Sequence, residues 1–239
     1  MADAGFQPTR WSLIGALRNG DSLDGSAARA TLCEAYWYPL YAYVRRSGCG
    51  AEQARDLTQG FFAHLLEKNL FARAERERGR LRTFLLAALQ HYLRDEWRKG
   101  QKIKRGSGAS PLSIDEAFAE NRYAREPANA MTPETIFQRR WALELLERTL
   151  LGLRAEYTGA GKANVFDALK CHLAPDGNEP SSQELGVELG LTSGAVRVAV
   201  SRLRARYRER LLREVAASLD ATTEAEVDDE IDALFRALA

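Results

Sequence analysis

Four polar side chains recur at helical spacing late in the chain, and three of them end in a guanidinium group. They are Arg197, Ser201, Arg204 and Arg208. Residues three or four apart lie on one face of an α-helix. A guanidinium group can donate two hydrogen bonds to a guanine edge, and others nearby can bind phosphates. This spacing therefore predicts a helix with one face suited to bind DNA.

An apolar series in the same stretch provides a second face that must pack against another element. Its members are Val196, Val200, Leu203 and Tyr207. Leu191, just before this helix, is expected to pack inward as well. The two series predict a helix that is anchored on one side and exposed on the other.

The preceding residues complete a helix-turn-helix. Ser181 and Glu184 have the spacing of a capping box, which begins a helix. Gly190 stands where that helix ends, in a left-handed conformation that glycine adopts easily. Thr192 or Ser193 can then cap the second helix. In such a motif the second helix enters the DNA major groove.

Charge is strongly segregated, although the net charge is only +1. Residues 73–105 contain eleven Lys/Arg and four Asp/Glu, and residues 197–213 contain seven Arg and one Glu. Residues 214–239 contain eight Asp/Glu and one Arg. Two basic blocks indicate a polyanionic partner, and the acidic tail could compete with it. Solvated helix faces are the alternative interpretation.

The sequence contains no motif for catalysis, metal binding or export. Its three cysteines and three histidines are scattered, and no phosphate-binding glycine loop or nucleophile motif occurs. No apolar run approaches the roughly 20 residues of a membrane span, and the N-terminus lacks a signal-peptide pattern. We therefore expect a cytoplasmic protein that is not an enzyme, with no cofactor, no metal and no membrane association.

Nearly every segment predicts helix, so the expected fold is all-α. Pro39 should bend or split the helix over residues 26–47. Thr132 and Pro133 fit a helix start. The expected organisation is an N-terminal helical domain over 1–100, a flexible linker with at most a short helical piece over 101–133, a helix-turn-helix domain over 134–213 and an acidic helical extension over 214–239.

Three stretches of the first domain carry a resemblance to a known family. In order they are YPLYAYVRRSG, DLTQGFFAHLLE and FLLAALQHYLRDEWRK. They resemble the second conserved domain of bacterial RNA polymerase sigma factors, and the helix-turn-helix resembles the fourth. With only these two domains, covering about residues 26–105 and 134–210, the chain looks like an atypical member of the extracytoplasmic-function (ECF) class.

The resemblance implies a promoter-specificity subunit with two kinds of partner. Core RNA polymerase would be bound through its clamp coiled coil and its flap. In promoter DNA, the recognition helix would read the upstream (minus-thirty-five) element, and the first domain would open the downstream (minus-ten) element.

Individual residues follow from the resemblance and from the helix-turn-helix. Upstream-element binding falls to Thr192, Ser193, Arg197, Ser201, Arg202, Arg204, Arg206 and Arg208. Downstream-element binding falls to Arg80, Arg82, His91, Asp95, Trp97, Arg98 and Lys99. Core polymerase binding falls to Asp56, Gln59, Phe62 and Leu65. The tryptophan and the two apolar clamp residues could equally be core.

The clamp-binding helix lacks the dense acidic cluster of typical members, because QARDLTQ keeps only Asp56. Phosphorylation of Thr58 by a Ser/Thr kinase would supply negative charge there. The alternative is that Thr58 is a half-buried helix residue and that the clamp contact is apolar.

Two functions from different classes stay open on the sequence. One is the sigma factor, and the other is a self-standing helix-turn-helix regulator with an N-terminal sensing or partner domain.

The role of the acidic tail is open as well. Val227, Ile231, Leu234 and Leu238 share one face of a helix that either screens arginines or completes a core.

Overall fold

The computed structural model describes residues 23–68, 70, 80–100, 116–126, 131–174, 177–219 and 223–239. Within these ranges the chain is all-helical and contains no β-strand, which confirms the predicted fold class. The helices are α1 (Leu23–Arg46), α2 (Ala51–Glu67), α3 (Leu81–Gly100), α4 (Glu116–Tyr123), α5 (Pro133–Gly159), α6 (Ala163–Leu169), α7 (Ser182–Leu189), α8 (Ser193–Leu219) and α9 (Glu224–Leu238). A 3₁₀ turn, Lys170–Leu173, follows α6.

The described residues divide into two compact units. Unit 1 contains those up to Leu143 together with Ala216–Ala239, and unit 2 is Glu144–Val215. Both boundaries fall inside helices, α5 and α8, and not in the residues 101–133 expected to link the domains. Within the predicted acidic extension, α8 continues to Leu219 and α9 belongs to unit 1.

Helix α1 lies in the core of unit 1 and is buried on nearly every side. The predicted apolar positions Leu32, Tyr36, Leu40 and Val44 are all buried. Trp37 is buried too, and its ring stacks on that of Tyr41 with 5.0 Å between centroids. Pro39 does not split the helix, which is continuous from Leu23 to Arg46. Packing on all sides outweighs the backbone hydrogen bond that the proline removes.

Residues 116–126 are packed against α1, although they fall within the predicted linker. Glu120 of α4 accepts hydrogen bonds from Arg45 Nε (2.7 Å) and Nη2 (3.0 Å). The Arg45 guanidinium holds the pKa of Glu120 below its ordinary value. Glu126 accepts a hydrogen bond from Tyr38 Oη at 3.1 Å and forms an ion pair with Arg140. The rest of the predicted linker up to residue 130 lies outside the described residues.

Unit 2 is organised around one apolar cluster. Its fully buried members are Leu153, Phe166, Leu169, Leu185, Val196 and Leu203. Thr132 caps α5, the helix that enters this unit, because its Oγ1 accepts a hydrogen bond from Thr135 N at 3.2 Å. The predicted helix start at Thr132 and Pro133 is confirmed.

Helix α2 contains the predicted phosphorylation site, and the structure places that residue in the core. The buried residues of α2 are Ala54, Thr58, Phe61, Phe62 and Leu65. Thr58 has no exposed surface, and its Oγ1 donates a hydrogen bond to Ala54 O at 2.7 Å. Activation by a kinase requires an accessible hydroxyl, and the Thr58 hydroxyl is buried in this structure. A phosphate at this position would also place about −1.5 to −2 charges in an apolar core.

Thr58→Glu should unfold unit 1 rather than activate it. An uncompensated buried charge costs about 3–5 kcal/mol. Thr58→Val keeps the shape and loses one hydrogen bond, so it should cost only about 1 kcal/mol. Urea unfolding followed by tryptophan fluorescence measures both effects, because all four tryptophans precede residue 143. A Thr58→Glu chain with the parent's unfolding midpoint would show that this side chain is not buried.

Candidate nucleic-acid interface

The first helix of the helix-turn-helix begins at the predicted capping box. Ser181 Oγ accepts a hydrogen bond from Glu184 N at 3.2 Å. In return, Glu184 Oε2 accepts one from Ser181 N at 2.7 Å. The backbone N–H and the hydroxyl of Ser181 lower the pKa of the Glu184 carboxyl. The backbone N–H groups of Ser181 and Glu184 are both satisfied by this box, which defines where the helix begins.

The turn between α7 and α8 is closed by backbone contacts. Gly190 has φ 66° and ψ 33°, the left-handed conformation that the sequence predicts. Leu191 N donates to Gly186 O at 2.8 Å, and Thr192 Oγ1 caps α8 by accepting from Ala195 N at 3.2 Å. The expectation that Leu191 packs inward is wrong, since its side chain is 42% exposed. Its backbone approaches α7 through the hydrogen bond to Gly186 O.

Gly186 is a residue whose role the sequence reasoning missed. A Cβ atom added to it would lie 2.7 Å from Leu191 O, closer than such atoms approach in proteins. Glycine is therefore required for the turn to close on α7. The available signal was a glycine inside a short helix, a position where glycine normally costs stability.

Helix α8 has the two faces that its sequence predicts. Val196 and Leu203 are fully buried, while Val200 and Tyr207 are half-buried against the same cluster. The exposed side chains include Arg197, Ser201, Arg202, Arg204, Arg206 and Arg208. Thr192 is exposed and Ser193 is half-buried at its N-terminus. The structure thus presents nearly all predicted upstream-element residues to solvent on one helix and its cap.

These arginines differ in how strongly the protein already holds them. Arg204 Nε donates to His172 O at 3.0 Å, and Arg206 Nη2 lies 4.0 Å from Glu156 Oε2. Arg197, Arg202 and Arg208 form no ion pair with the residues that the structure describes. Their guanidinium groups can therefore bind a ligand without breaking such a contact.

Arg210 belongs to the same basic block but has a structural role. Its side chain is only 17% exposed and forms an ion pair with Glu156. A Cβ atom on Gly152 would lie 2.0 Å from Arg210 Nη2, so a glycine makes room for this guanidinium. The spacing from Leu203 and Tyr207 already places Arg210 on the packing face, which was the signal for its burial.

The later part of α3 presents most of the predicted downstream-element residues. His91, Asp95, Trp97, Arg98 and Lys99 are all exposed. Trp97 is 44% exposed, so the structure does not support its alternative placement in the core. The ion pairs Arg98–Asp95 (3.7 Å) and Lys99–Glu96 (2.8 Å) lie on the surface. Such exposed pairs are weak and open readily.

The two arginines at the start of α3 are not on a free surface, contrary to their predicted role. Arg80 Nε lies 2.8 Å from Glu230 Oε2, and Arg82 is buried and also forms an ion pair with Glu230. Burial and the neighbouring Arg80 lower the pKa of Arg82 to about 10, so it stays charged at neutral pH. The rest of the basic block, residues 73–79 and 101–105, lies outside the described residues.

The predicted polymerase-binding residues also divide into residues with exposed surface and buried residues. Asp56 is exposed and Gln59 is half-buried. Phe62 and Leu65 are buried, so the structure favours their alternative role as core residues and corrects their assignment as contact residues. In the sequence, their spacing from Thr58 and Phe61 fitted a role in the core and a role in polymerase contact equally well.

Comparison of the chain with protein-family models, curated proteins and solved structures found no match in any of the three. The described residues contain no helix long and apolar enough to cross a membrane. They also contain no group of three or more His, Cys, Asp or Glu side chains that could hold a metal ion.

Gly186→Ala should destabilise the helix-turn-helix, with Gly194→Ala as its matched control. The first change forces a methyl group against a backbone oxygen, which typically costs about 1–3 kcal/mol. At Gly194 the nearest atom to an added Cβ is Thr192 Oγ1 at 4.0 Å, so alanine fits. The gain in helix propensity there is at most about 1 kcal/mol. Hydrogen exchange of the α7 and α8 amides measures both changes, and equal protection in the two variants would contradict the close approach.

Proposed function

We propose that this chain is a cytoplasmic RNA polymerase sigma factor of the ECF type. The observation that carries the proposal is the row of exposed arginines on α8, a helix held by a capped helix-turn-helix. In this proposal unit 2 reads the upstream promoter element. The α1–α3 part of unit 1, which resembles the second sigma domain, binds core polymerase and the downstream element.

DNA binding by α8 is supported by where its basic residues lie. Arg197 and Ser201 are in the first half of the helix, the part that contacts base edges in this motif. Arg202 and Arg208 have no ion-pair partner among the described residues. They would contribute phosphate contacts that orient the helix and make affinity depend on salt. A buried apolar face prevents α8 from rotating, so the same side chains always face the groove.

An exposed aromatic residue on α3 favours promoter opening over simple duplex binding. Trp97 is a large apolar side chain with 44% of its surface in solvent, beside exposed Arg98. Unstacked bases bind to aromatic rings next to a basic track, whereas a duplex offers no free base face. A self-standing regulator that binds only duplex DNA has no use for such a platform.

Contact with core polymerase is proposed for the polar face of α2. Asp56 and Gln59 are the members of the predicted contact set with surface to offer. Asp56 Oδ1 lies 3.4 Å from Arg55 Nη2 in an exposed pair. Because such a pair is weak, Asp56 can leave Arg55 and form an ion pair with a basic group on the clamp. The buried Phe62 and Leu65 anchor α2 in the core and thereby position this face.

Promoter-specific initiation in vitro tests the proposal. We expect the chain to bind core polymerase and to start transcription at one position on a promoter selected from a random library. Trp97→Ala should weaken opening by roughly 5- to 150-fold while duplex binding by unit 2 is retained, because stacking on an aromatic ring is worth about 1–3 kcal/mol per base. Specific duplex binding without any effect on core polymerase would instead identify a self-standing regulator.

Arg197→Ala should relax specificity at one position of the upstream element. A guanidinium that contacts a base edge is worth about 1–3 kcal/mol at that position. The control is Arg208→Ala, which removes the same group farther along the helix. It should weaken binding to all sequences equally, as expected for a phosphate contact. Binding of both variants to duplexes with single-base changes measures the difference. A uniform loss for Arg197→Ala would show that it contacts a phosphate.

A further inference from the structure

Helix α9 covers a basic part of unit 1, although most of its own surface is acidic. Thr223 and Glu226 form a capping box, so the helix begins at a defined point. Leu234 is fully buried, and the last turn is held by Arg139 Nη1, which donates to Leu238 O at 3.2 Å. The contacts that attach the helix thus include the buried Leu234, a terminal carbonyl and the ion pairs of Glu230.

Glu230 is out of place on this contact face. The other inward positions are apolar (Val227, Ile231, Leu234 and Leu238), yet Glu230 is only 1% exposed. Its carboxylate forms ion pairs with Arg80 and Arg82. A buried ion pair is often no more stable than an apolar pair of the same volume. Stability alone therefore does not explain an acid here, whereas recognition of two cations does.

The two arginines form an anion site, and Arg82 is held there by contacts outside α9. The Arg82 guanidinium lies 4.0 Å from the centre of the Trp141 ring, and Arg82 Nε donates to Gln138 Oε1 at 3.0 Å. These contacts hold Arg82 in place from α5. Arg80 is about one-third exposed and closes the site from the solvent side. Two adjacent cations repel each other, so the site requires an anion.

We propose that α9 is an autoinhibitory helix whose Glu230 occupies a site that Arg80 and Arg82 offer to a phosphate of single-stranded DNA. The inference rests on the proposed function, because the site lies at the start of α3, the helix that carries Trp97. A carboxylate and a phosphate compete for the same guanidinium groups. Binding of a strand along α3 therefore releases α9, and release of α9 strengthens binding of the strand.

A pair of charge-neutral substitutions tests the release of α9. Leu234→Ala removes the buried apolar contact, and Phe235→Ala removes a neighbouring side chain that is 60% exposed. Only Leu234→Ala should raise affinity for a thymidine oligonucleotide, measured by fluorescence anisotropy. With one additional phosphate neutralised, the loss of affinity between about 50 and 200 mM salt should be about 2.6-fold larger than in the parent chain. Adding Arg80→Gln to the Leu234→Ala chain should remove about half of that extra salt dependence.

A second pair tests the carboxylate itself. Glu230→Gln and Asp229→Asn remove one negative charge from adjacent positions of α9, one buried and one exposed. The buried change should raise oligonucleotide affinity, and the exposed change should have little effect. Equal gains would show that general repulsion by the acidic tail is responsible, and would disprove that Glu230 occupies a phosphate site.

Hydrogen exchange of the parent chain completes the test. Adding the oligonucleotide should speed exchange of the α9 amides and leave those of α1 protected. If Leu234→Ala loosens the whole of unit 1 and does not raise DNA affinity, α9 only completes the core and the proposal is overturned. None of these measurements needs polymerase or a promoter. If the chain is a sigma factor but α9 is not autoinhibitory, it would initiate normally and Glu230→Gln and Asp229→Asn would have the same oligonucleotide affinity. If α9 is autoinhibitory but the chain is not a sigma factor, the two variants would differ in affinity and the chain would not initiate transcription.

Discussion

The cost of burying a guanidinium group determines which arginines of this chain can act on a ligand. Among the described residues, four arginines that are largely buried each form an ion pair with a glutamate. The pairs are Arg45–Glu120, Arg82–Glu230, Arg140–Glu126 and Arg210–Glu156. A buried charge without a counter-charge is strongly destabilising, so each of these guanidinium groups requires an anion beside it. The arginines that remain exposed can bind nucleic acid without first losing such an anion.

These pairs also join parts of the chain that are distant in sequence. Glu120 and Glu126 attach a segment after α3 to α1 and α5, and Glu230 brings the acidic C-terminus to α3. Acidic residues that looked like linker and tail are therefore structural partners of the basic blocks. The net charge of only +1 conceals this arrangement, in which these opposite charges are paired in space and not along the chain.

The helix-turn-helix achieves rigidity in a different way, through backbone geometry. Its capping box, its left-handed Gly190 and the close approach at Gly186 all act within about a dozen residues. Arg210 then anchors the same long helix beyond its exposed arginines. A helix that is rigid before binding loses little conformational entropy on entering a groove. Local geometry orients the helix, and the ion pair determines where its binding face ends.

The sequence by itself determined the helices, their caps and the two faces of α8, because periodicity and capping depend on residues a few positions apart. It could not separate exposed from buried members of a mixed helix, as Thr58, Phe62 and Leu65 show. Trp97 was equally ambiguous until its exposure was known. Only the tertiary structure decided that Arg82 and Arg210 are enclosed while Arg197 is free. The reason is physical: burial of a charge depends on a partner and on a packed surface contributed from elsewhere in the chain, and local spacing contains neither.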